Sequence, residues 1–307
     1  LATRYCVQAA LVALAMSPRV RNWQAGGSFI TIGAHRYFVR RGGAGPVLLL
    51  LHGYPVGSYD WHAIWPHLQA HFTLIAPDML GHGFSDKPSN GDYSVEAHAA
   101  LHDALLEQLG VEECHIVAFD LGVSVAQEML ARRLEQPQRG WPRIKSLVLL
   151  NGGLCPEAYQ PRLIQRLLVS PMGGWLAARI NQRMFGKPIT HMFGDSPPPS
   201  KELLEDFWAF LNLGNGRQVA HRVGAFWKSR IAHSERLVGA LLHGGVRLRL
   251  INGAADPNSG AHMVRAFLKH QPHADVVSLK ALGHWPHIQD PLTVALHIVQ
   301  FRQGGAD

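Results

Sequence analysis

The chain has 307 residues, of which 47% are hydrophobic and 17% are charged. This length and composition suit one large domain with an insertion, or two small domains, and they argue against a disordered protein. Lys and Arg number 29 against 22 Asp and Glu, which gives a net charge of +7. The basic residues are scattered, with Arg40-Arg41 and Arg132-Arg133 among the densest pairs. We therefore expect no nucleic-acid partner.

The cysteines and histidines show neither a metal-binding nor a disulfide pattern. Cys6, Cys114 and Cys155 are widely spaced and odd in number, which indicates a reducing, cytoplasmic compartment. The 19 histidines include no HExxH pair, so we expect no metal site and most histidines at the surface.

The N-terminal segment is apolar but short. Cys6–Met16 falls well below the roughly 20 apolar residues that cross a bilayer. We interpret residues 1–22 as a helix that lies on the body of the protein or on a membrane surface. For the assembly, we expect a monomer or a dimer.

Short apolar runs and longer helix-period segments alternate along the chain. The predicted strands are Gly27–Ile32, Arg36–Arg40, Val47–Leu51, Phe72–Pro77, His115–Phe119, Ser146–Leu150, Arg247–Ile251 and Asp275–Leu279. The predicted helices between them are Tyr59–Ala70, Val95–Leu109, Val123–Arg133, Ala261–His270 and Pro291–Phe301. Val47–Leu51 is apolar throughout, as expected for a strand buried on both faces. The alternation predicts an α/β fold with a mostly parallel sheet flanked by helices.

The strand rhythm stops between residues 155 and 241. This segment contains helical pieces separated by Pro and Gly, which are Arg162–Leu168, Leu176–Met184, Lys201–Leu211 and Gln218–Ile231. We predict an inserted helical cap over residues 155–241 and a core domain formed by residues 23–154 and 242–307. The cap's large apolar residues either line a pocket or form the cap's own core. They are Trp175, Met184, Phe185, Phe207 and Trp208.

Two turns that follow predicted strands have sequences typical of an oxyanion donor and of a nucleophile. Ligands of open parallel sheets bind where the strands end. His52-Gly53-Tyr54-Pro55 follows Val47–Leu51 and forms a tight turn that can point the Tyr54 N–H at an oxyanion. Ala118–Gly122 has the small-x-nucleophile-x-Gly form of a nucleophile elbow, with Asp120 at its centre and the Leu121 N–H as a second donor. A simple turn and an N-cap aspartate are the alternative interpretations.

Two later turns supply an acid and a base. Asp256 follows the strand Arg247–Ile251, and His284 follows the strand Asp275–Leu279. The order nucleophile, acid, base is that of the α/β-hydrolase triad. Asp256 alone would read as a turn residue and His284 alone as a surface histidine. Together with Asp120 they predict a catalytic triad.

Four motifs place the chain near a known family. HGYPVGSYDW, APDMLGHGFSDKP, the Asp120 elbow and GHWPHIQDP resemble the epoxide hydrolase and haloalkane dehalogenase branch of the α/β-hydrolases. The resemblance implies that Asp120 attacks a carbon atom to form an ester, and that His284, oriented by Asp256, activates the water that hydrolyses it. The amides of Tyr54 and Leu121 would hold the oxyanion. The substrate would be a small apolar molecule, and no cofactor is required.

The chain departs from its relatives at the leaving group. Haloalkane dehalogenases place tryptophan after the nucleophile, and fluoroacetate dehalogenases place arginine there, where this chain has Leu121. Many dehalogenases also have asparagine at the position of Tyr54. Epoxide hydrolases usually supply two cap tyrosines, whereas this cap has only Tyr159. A second acid would then be Tyr54, His191 or His221.

These departures leave three functions open. An epoxide hydrolase-like enzyme that forms a vicinal diol is the leading hypothesis. A haloalkane dehalogenase is the enzymatic alternative. A hydrolase-fold protein that binds a ligand without turning it over is an alternative of another class.

Overall fold

The computed structural model describes residues 16–160 and 163–304, which form an eight-stranded sheet in the order β1-β2-β4-β3-β5-β6-β7-β8. β1 and β2 pair antiparallel, β2 pairs antiparallel with β4, and the remaining neighbours are parallel. The strands are β1 (Gly27–Ile32), β2 (His35–Gly42), β3 (Val47–Leu51), β4 (Thr73–Pro77), β5 (Glu113–Asp120), β6 (Arg143–Gly152), β7 (Arg247–Gly253) and β8 (Asp275–Leu279). The predicted α/β architecture is confirmed.

Helices cover both faces of the sheet. Leu48 and Leu50 of β3 pack into one hydrophobic core, whereas Leu49 and Leu51 pack into the other. This two-sided burial explains why β3 is apolar at every position. The core helices are α1 (Pro18–Ala25), α2 (Trp65–Leu68), α3 (Val95–Gln108), α4 (Leu121–Glu135), α12 (Ala261–His270), α13 (Pro286–Gln289) and α14 (Pro291–Gln303).

The described residues between β6 and β7 form helices, and we refer to this segment as the cap. Its helices are α5 (Leu163–Leu168), α6 (Gly173–Arg179), α7 (Gln182–Met192), α8 (Lys201–Asn212), α9 (Gly216–Val223), α10 (Phe226–Ala232) and α11 (Ser234–His243). Residues 1–15 of the predicted N-terminal helix, including Cys6, and Arg162 of the first predicted cap helix lie outside the described residues.

Three predicted helices are wrong in extent. The predicted helix Leu176–Met184 breaks at Ile180, whose backbone is extended, and a new helix starts where the Asn181 side chain accepts the Met184 N–H. Gly224 ends α9, which divides the predicted helix Gln218–Ile231. The predicted helix Tyr59–Ala70 is a 3-10 turn, Ser58–Trp61, followed by a short helix that starts beside Pro66. Proline lacks the N–H that a helix interior needs.

The described residues give no sign of a metal site or a membrane span. They contain no group of three or more His, Cys, Asp or Glu side chains that could hold a metal ion. Among them, no helix is both long enough and apolar enough to cross a bilayer. No disulfide joins cysteines in this part of the chain.

In line with the expectation that most histidines lie at the surface, 13 of the 19 are partly or fully exposed, and the other six are buried. They are His52, His82, His98, His102, His284 and His287. A neutral imidazole accepts as well as donates, so it can satisfy buried backbone groups. His52 does this with its Nε2 atom, which accepts the Met79 N–H at 2.8 Å. Another imidazole nitrogen, Nδ1 of His102, lies 2.6 Å from the His98 carbonyl oxygen.

The buried histidines predict acid sensitivity. Burial lowers the pKa of His52 and of His102 to about 4, and that of His98 to about 3. The unfolded chain takes up these protons below about pH 6.5, whereas the folded protein resists them until the pH nears these lower values. Each such histidine therefore removes about 1.4 kcal/mol of unfolding free energy per pH unit as the pH falls through this window.

The contribution of one histidine can be isolated with His98→Met. We expect the unfolding free energy of this variant, measured by urea titration, to fall less steeply than that of the wild type between about pH 6.5 and pH 4. The difference between the two slopes should approach the value for the uptake of one proton on unfolding. Identical slopes for the two proteins would contradict the assignment.

Candidate active site

The nucleophile elbow is the sharp junction between β5 and α4. Asp120, the last residue of β5, has φ 49° and ψ −109°, and it is the one non-glycine residue with positive φ in the described part of the chain. Such a conformation typically costs about 1–3 kcal/mol and tends to occur at functional sites. Gly122 permits the bend, because a Cβ there would lie 2.3 Å from the Leu51 carbonyl oxygen. The Asp120 side chain makes no capping hydrogen bond to α4, so the N-cap interpretation is wrong.

The turn after β3 brings a backbone donor to this carboxylate. The Tyr54 N–H donates to Asp120 Oδ1 at 2.9 Å. The two turns approach so closely that a Cβ at Gly53 would lie 2.8 Å from the Asp120 Cβ atom. Leu121 follows as the first residue of α4, so its N–H lies at the N-terminus of a helix, where donors are unpaired. Tyr54 and Leu121 thus occupy the two positions predicted for the oxyanion donors.

Asp60 holds the turn after β3 and was missed in the sequence. It is buried, and its Oδ2 atom accepts the Gly53 N–H at 3.1 Å. Burial raises the pKa of this carboxyl well above its usual range, and the nearby Asp120 charge adds to the effect. Asp60 lies in the SYDW part of the first family motif. The motif could have drawn attention to Asp60, but the sequence alone does not distinguish a residue that fixes the turn from one that only packs.

The other two predicted triad residues meet Asp120 at the same edge of the sheet. His284 Nδ1 lies 2.7 Å from Asp256 Oδ2, and His284 Nε2 lies 3.5 Å from Asp120 Oδ2. Asp256 and His284 are each about 2% exposed. Asp256 is held in place by three further donors, which are Ser259 Oγ at 2.6 Å, the Asn258 N–H at 2.8 Å and Asn151 Nδ2 at 3.0 Å.

Charge coupling dominates the electrostatics of this site. Burial alone would raise the pKa of Asp256, but the His284 charge and the hydrogen bonds lower it to about 2. Burial alone would lower the pKa of His284, but Asp256 and Asp120 together raise it to about 10. The two neighbouring aspartates therefore favour the protonated form of His284.

An apolar cavity of about 620 Å³ lies above Asp120 and His284. The volume is in the range of small-molecule sites. Its wall comes mainly from the cap, and includes Leu168, Ala177, Ile180, Met184, Phe185, Ile189, Leu211 and Phe226. Two predicted lining residues, Met184 and Phe185, lie on this wall. Phe207 belongs to a hydrophobic core, Trp208 packs against Phe185, and Trp175 is 53% exposed.

The four predicted proton donors occupy different positions relative to the cavity. Tyr54 lines it, but its hydroxyl donates to the Ala220 carbonyl at 3.3 Å. His191 lines the cavity from an exposed position on α7. Tyr159 is partly buried beside the wall residue Gln165, whose Nε2 donates to the Tyr159 hydroxyl at 2.9 Å, and the charge of the nearby Asp120 contributes to its raised pKa. His221 packs near Gly174 and is not a wall residue.

Arg230 is a buried cation that the sequence did not reveal. Its side chain on α10 is only 1% exposed, and its Cζ atom lies 4.3 Å from the centre of the Tyr159 ring. Its Nη1 donates to Ser124 Oγ at 3.4 Å, and a Cβ at Gly153 would lie 2.0 Å from that nitrogen. One arginine in a polar cap helix resembles a surface residue, so no sequence pattern identified it.

Comparison with known proteins identifies the class. A family model described as the alpha/beta hydrolase fold matches residues 46–291. The chain therefore belongs to the α/β-hydrolase family, which its sheet order and nucleophile elbow also indicate.

Two known proteins are similar to this chain over most of its length. The chain is 35% identical to the human mesoderm-specific transcript homolog protein over 290 residues, covering 90% of this chain and 86% of the relative. It is 33% identical to the putative hydrolase LipZ of Mycobacterium tuberculosis over 280 residues, covering 91% and 96%.

Solved structures share the fold. The epoxide hydrolase CorEH superposes with a TM-score of 0.74 at 20% identity, over 91% of this chain and 98% of that one. A haloalkane dehalogenase DbeA variant from Bradyrhizobium elkanii also superposes with a TM-score of 0.74, at 21% identity over 91% and 96%. At these identities the likeness concerns the fold alone.

Proposed function

We propose that this protein is an epoxide hydrolase-like enzyme that converts a small or medium apolar epoxide into a vicinal diol through an ester on Asp120. The main support for the proposal is that the two carboxylate oxygens of Asp120 have different neighbours. Oδ1 accepts the Tyr54 N–H, while Oδ2 faces His284. A carboxylate nucleophile suits attack on a saturated carbon, which forms an ester that water can then hydrolyse.

In the first step, Asp120 Oδ2 forms a bond to a ring carbon of the epoxide. The bond between that carbon and the ring oxygen breaks, and the oxygen takes a proton from Tyr159. Oδ1 becomes the carbonyl oxygen of the ester and is already hydrogen-bonded to the Tyr54 N–H. The apolar cavity wall excludes water and so strengthens these electrostatic interactions.

Ester formation activates the base for the second step. It removes the negative charge of Asp120, which is one of the causes of the raised pKa of His284. His284 can then lose its proton to solvent, and it regains one when the Asp120 charge is restored at the end of the cycle. The neutral imidazole acts as a general base while Asp256 orients it. The activated water attacks the ester carbonyl, and the negative charge develops on Oδ1 beside the amides of Tyr54 and Leu121.

Collapse of this intermediate closes the cycle. The bond between Cγ and Oδ2 of Asp120 breaks, so Oδ2 leaves as an oxygen of the diol and the water oxygen takes its place in the carboxylate. His284 returns its proton to the departing diol oxygen. The second proton of the attacking water restores Tyr159. The net reaction adds one water molecule to the epoxide and regenerates Asp120.

Tyr159 is the favoured proton donor because its own proton is available. Its hydroxyl accepts from Gln165, whereas the Tyr54 hydroxyl is committed to a carbonyl oxygen. Burial raises the pKa of Tyr159 to about 12, and the guanidinium of Arg230 opposes this rise. Arg230 thereby stabilises the phenolate that ring opening leaves behind.

The variant Tyr159→Phe should lower kcat for epoxide opening by about 10²–10⁴-fold, the usual contribution of a general acid. The matched control is Tyr54→Phe, which keeps the Tyr54 amide and removes only the hydroxyl. We expect this control to retain most activity in steady-state assays of diol formation. A large loss in Tyr54→Phe with little change in Tyr159→Phe would assign the acid to Tyr54 instead.

The reaction class is tested with a mixed panel of apolar epoxides and haloalkanes, in which diol and free halide are followed together. The proposal expects diol from epoxides and no halide, because Leu121 carries no side-chain donor for a leaving halide. Halide release alone would overturn it in favour of a haloalkane dehalogenase. Tight ligand binding without any product would overturn it in favour of a binding protein.

A further inference from the structure

The outer surface of the first three cap helices combines exposed apolar side chains with positive charge. Several large apolar residues there are 42–72% exposed, which are Leu163, Leu167, Met172, Trp175 and Met184. Between residues 158 and 194 the sequence contains five Lys or Arg and no Asp or Glu. We call the surface formed by these five apolar residues together with Arg166, Arg179, Arg183 and Lys187 the cap surface.

We infer that the cap surface docks on an anionic phospholipid bilayer. Water-exposed leucine, methionine and tryptophan are unfavourable unless something covers them. Bilayer surfaces cover such side chains with acyl chains, while neighbouring Arg and Lys bind the lipid phosphates. The structure shows one such pair of an apolar and a cationic side chain, because the Arg179 guanidinium lies 3.9 Å from the centre of the Trp175 ring. The apolar anchor Trp175 thus has a cation beside it.

The charge pattern favours a bilayer over other occupants. A second copy of this chain would bring the same positive surface against itself, which is electrostatically unfavourable in a symmetric interface. Nucleic acid would supply negative charge, but leucine and methionine side chains do not provide stacking platforms for its bases. Anionic lipid satisfies both the apolar and the positively charged residues.

The cavity opens on the same surface. Met184 and Lys187 of α7 both line the cavity and are exposed to solvent. A docked cap surface would therefore place the cavity mouth at the lipid headgroups. An apolar molecule dissolved in the bilayer could enter the cavity without crossing bulk water. This inference concerns access to the cavity and does not depend on the reaction proposed above.

Vesicle sedimentation of the full chain tests the inference. The probes are phosphatidylcholine vesicles with and without phosphatidylserine. We expect binding to the vesicles that contain phosphatidylserine, and we expect Arg179→Glu/Arg183→Glu to weaken it by at least about tenfold. The matched control is Arg265→Glu/Lys269→Glu on α12, which has the same spacing and the same change in charge. This control should bind like the wild type.

A second variant separates the apolar contribution from the charge. Met172→Ser/Trp175→Ser should also weaken vesicle binding, and both cap variants should keep the circular dichroism spectrum of the wild type. Failure of the wild type to bind anionic vesicles would overturn the inference. Equal losses in the cap and control charge variants would also overturn it. A dimer that dissociates in the cap variants, without vesicle binding, would assign the surface to a second copy.

Discussion

Replacement of Asp120 by alanine is expected to lower kcat for diol formation by about 10⁴–10⁶-fold, as removal of a nucleophile does in other covalent mechanisms. The substitution removes the only atom that forms a bond to the substrate carbon in the proposed first step. The Tyr54 amide and the cavity wall would remain, so substrate binding should persist. Initial rates of diol formation, together with ligand affinity, measure the two effects separately.

The companion variant Asp120→Asn controls for shape and backbone. Asparagine tolerates positive φ better than alanine does, so the elbow at φ 49° should form normally. The carboxamide is a poor nucleophile, and the rate should fall almost as far as in the alanine variant. Near-normal turnover in both variants would show that Asp120 is not the nucleophile.

Replacement of His284 by glutamine is expected to leave the first step of the reaction intact and to block the second. Asp120 would still open the epoxide, but no base would activate water, so the ester should accumulate. Steady-state turnover should drop by about 10²–10⁴-fold, after a rapid consumption of one equivalent of epoxide that remains on the enzyme as the ester. Intact-protein mass spectrometry should show a mass increase equal to that of the epoxide.

The double variant Asp120→Ala/His284→Gln is the control for that adduct. It should show no mass increase, because the attacking oxygen is absent. An adduct in the double variant would place the alkylation on another side chain. Complete absence of an adduct in His284→Gln, with turnover lost, would mean that His284 also acts before the ester forms.

The sheet and the elbow were predictable because their signals are local. The apolar run Val47–Leu51 and the sequence around Asp120 each determine their structure within a few residues. Asp256 and His284 were predictable from their order along the chain, since parallel strands end at one edge of the sheet. The structure brings all three side chains together.

The cap was less predictable because its helix ends and contacts depend on tertiary structure. The division of the predicted helix Leu176–Met184 follows from the extended backbone at Ile180, and no glycine or proline marks that residue. The position of Arg230 beneath Tyr159 depends on how α10 packs against the core. The buried histidines pose the same problem, because a neutral buried imidazole and a surface imidazole look alike in sequence.

The most direct test of the central claim is a single turnover of excess enzyme with an epoxide substrate in ¹⁸O-labelled water. Because water attacks the ester carbonyl of Asp120 in the proposed mechanism, we expect the label to enter the Asp120 carboxylate. The diol from that first turnover should carry an unlabelled oxygen taken from the enzyme. Mass spectrometry of the Asp120 peptide and of the diol measures both. A labelled diol with an unlabelled Asp120 peptide would show direct attack of water on the epoxide and would contradict the ester mechanism.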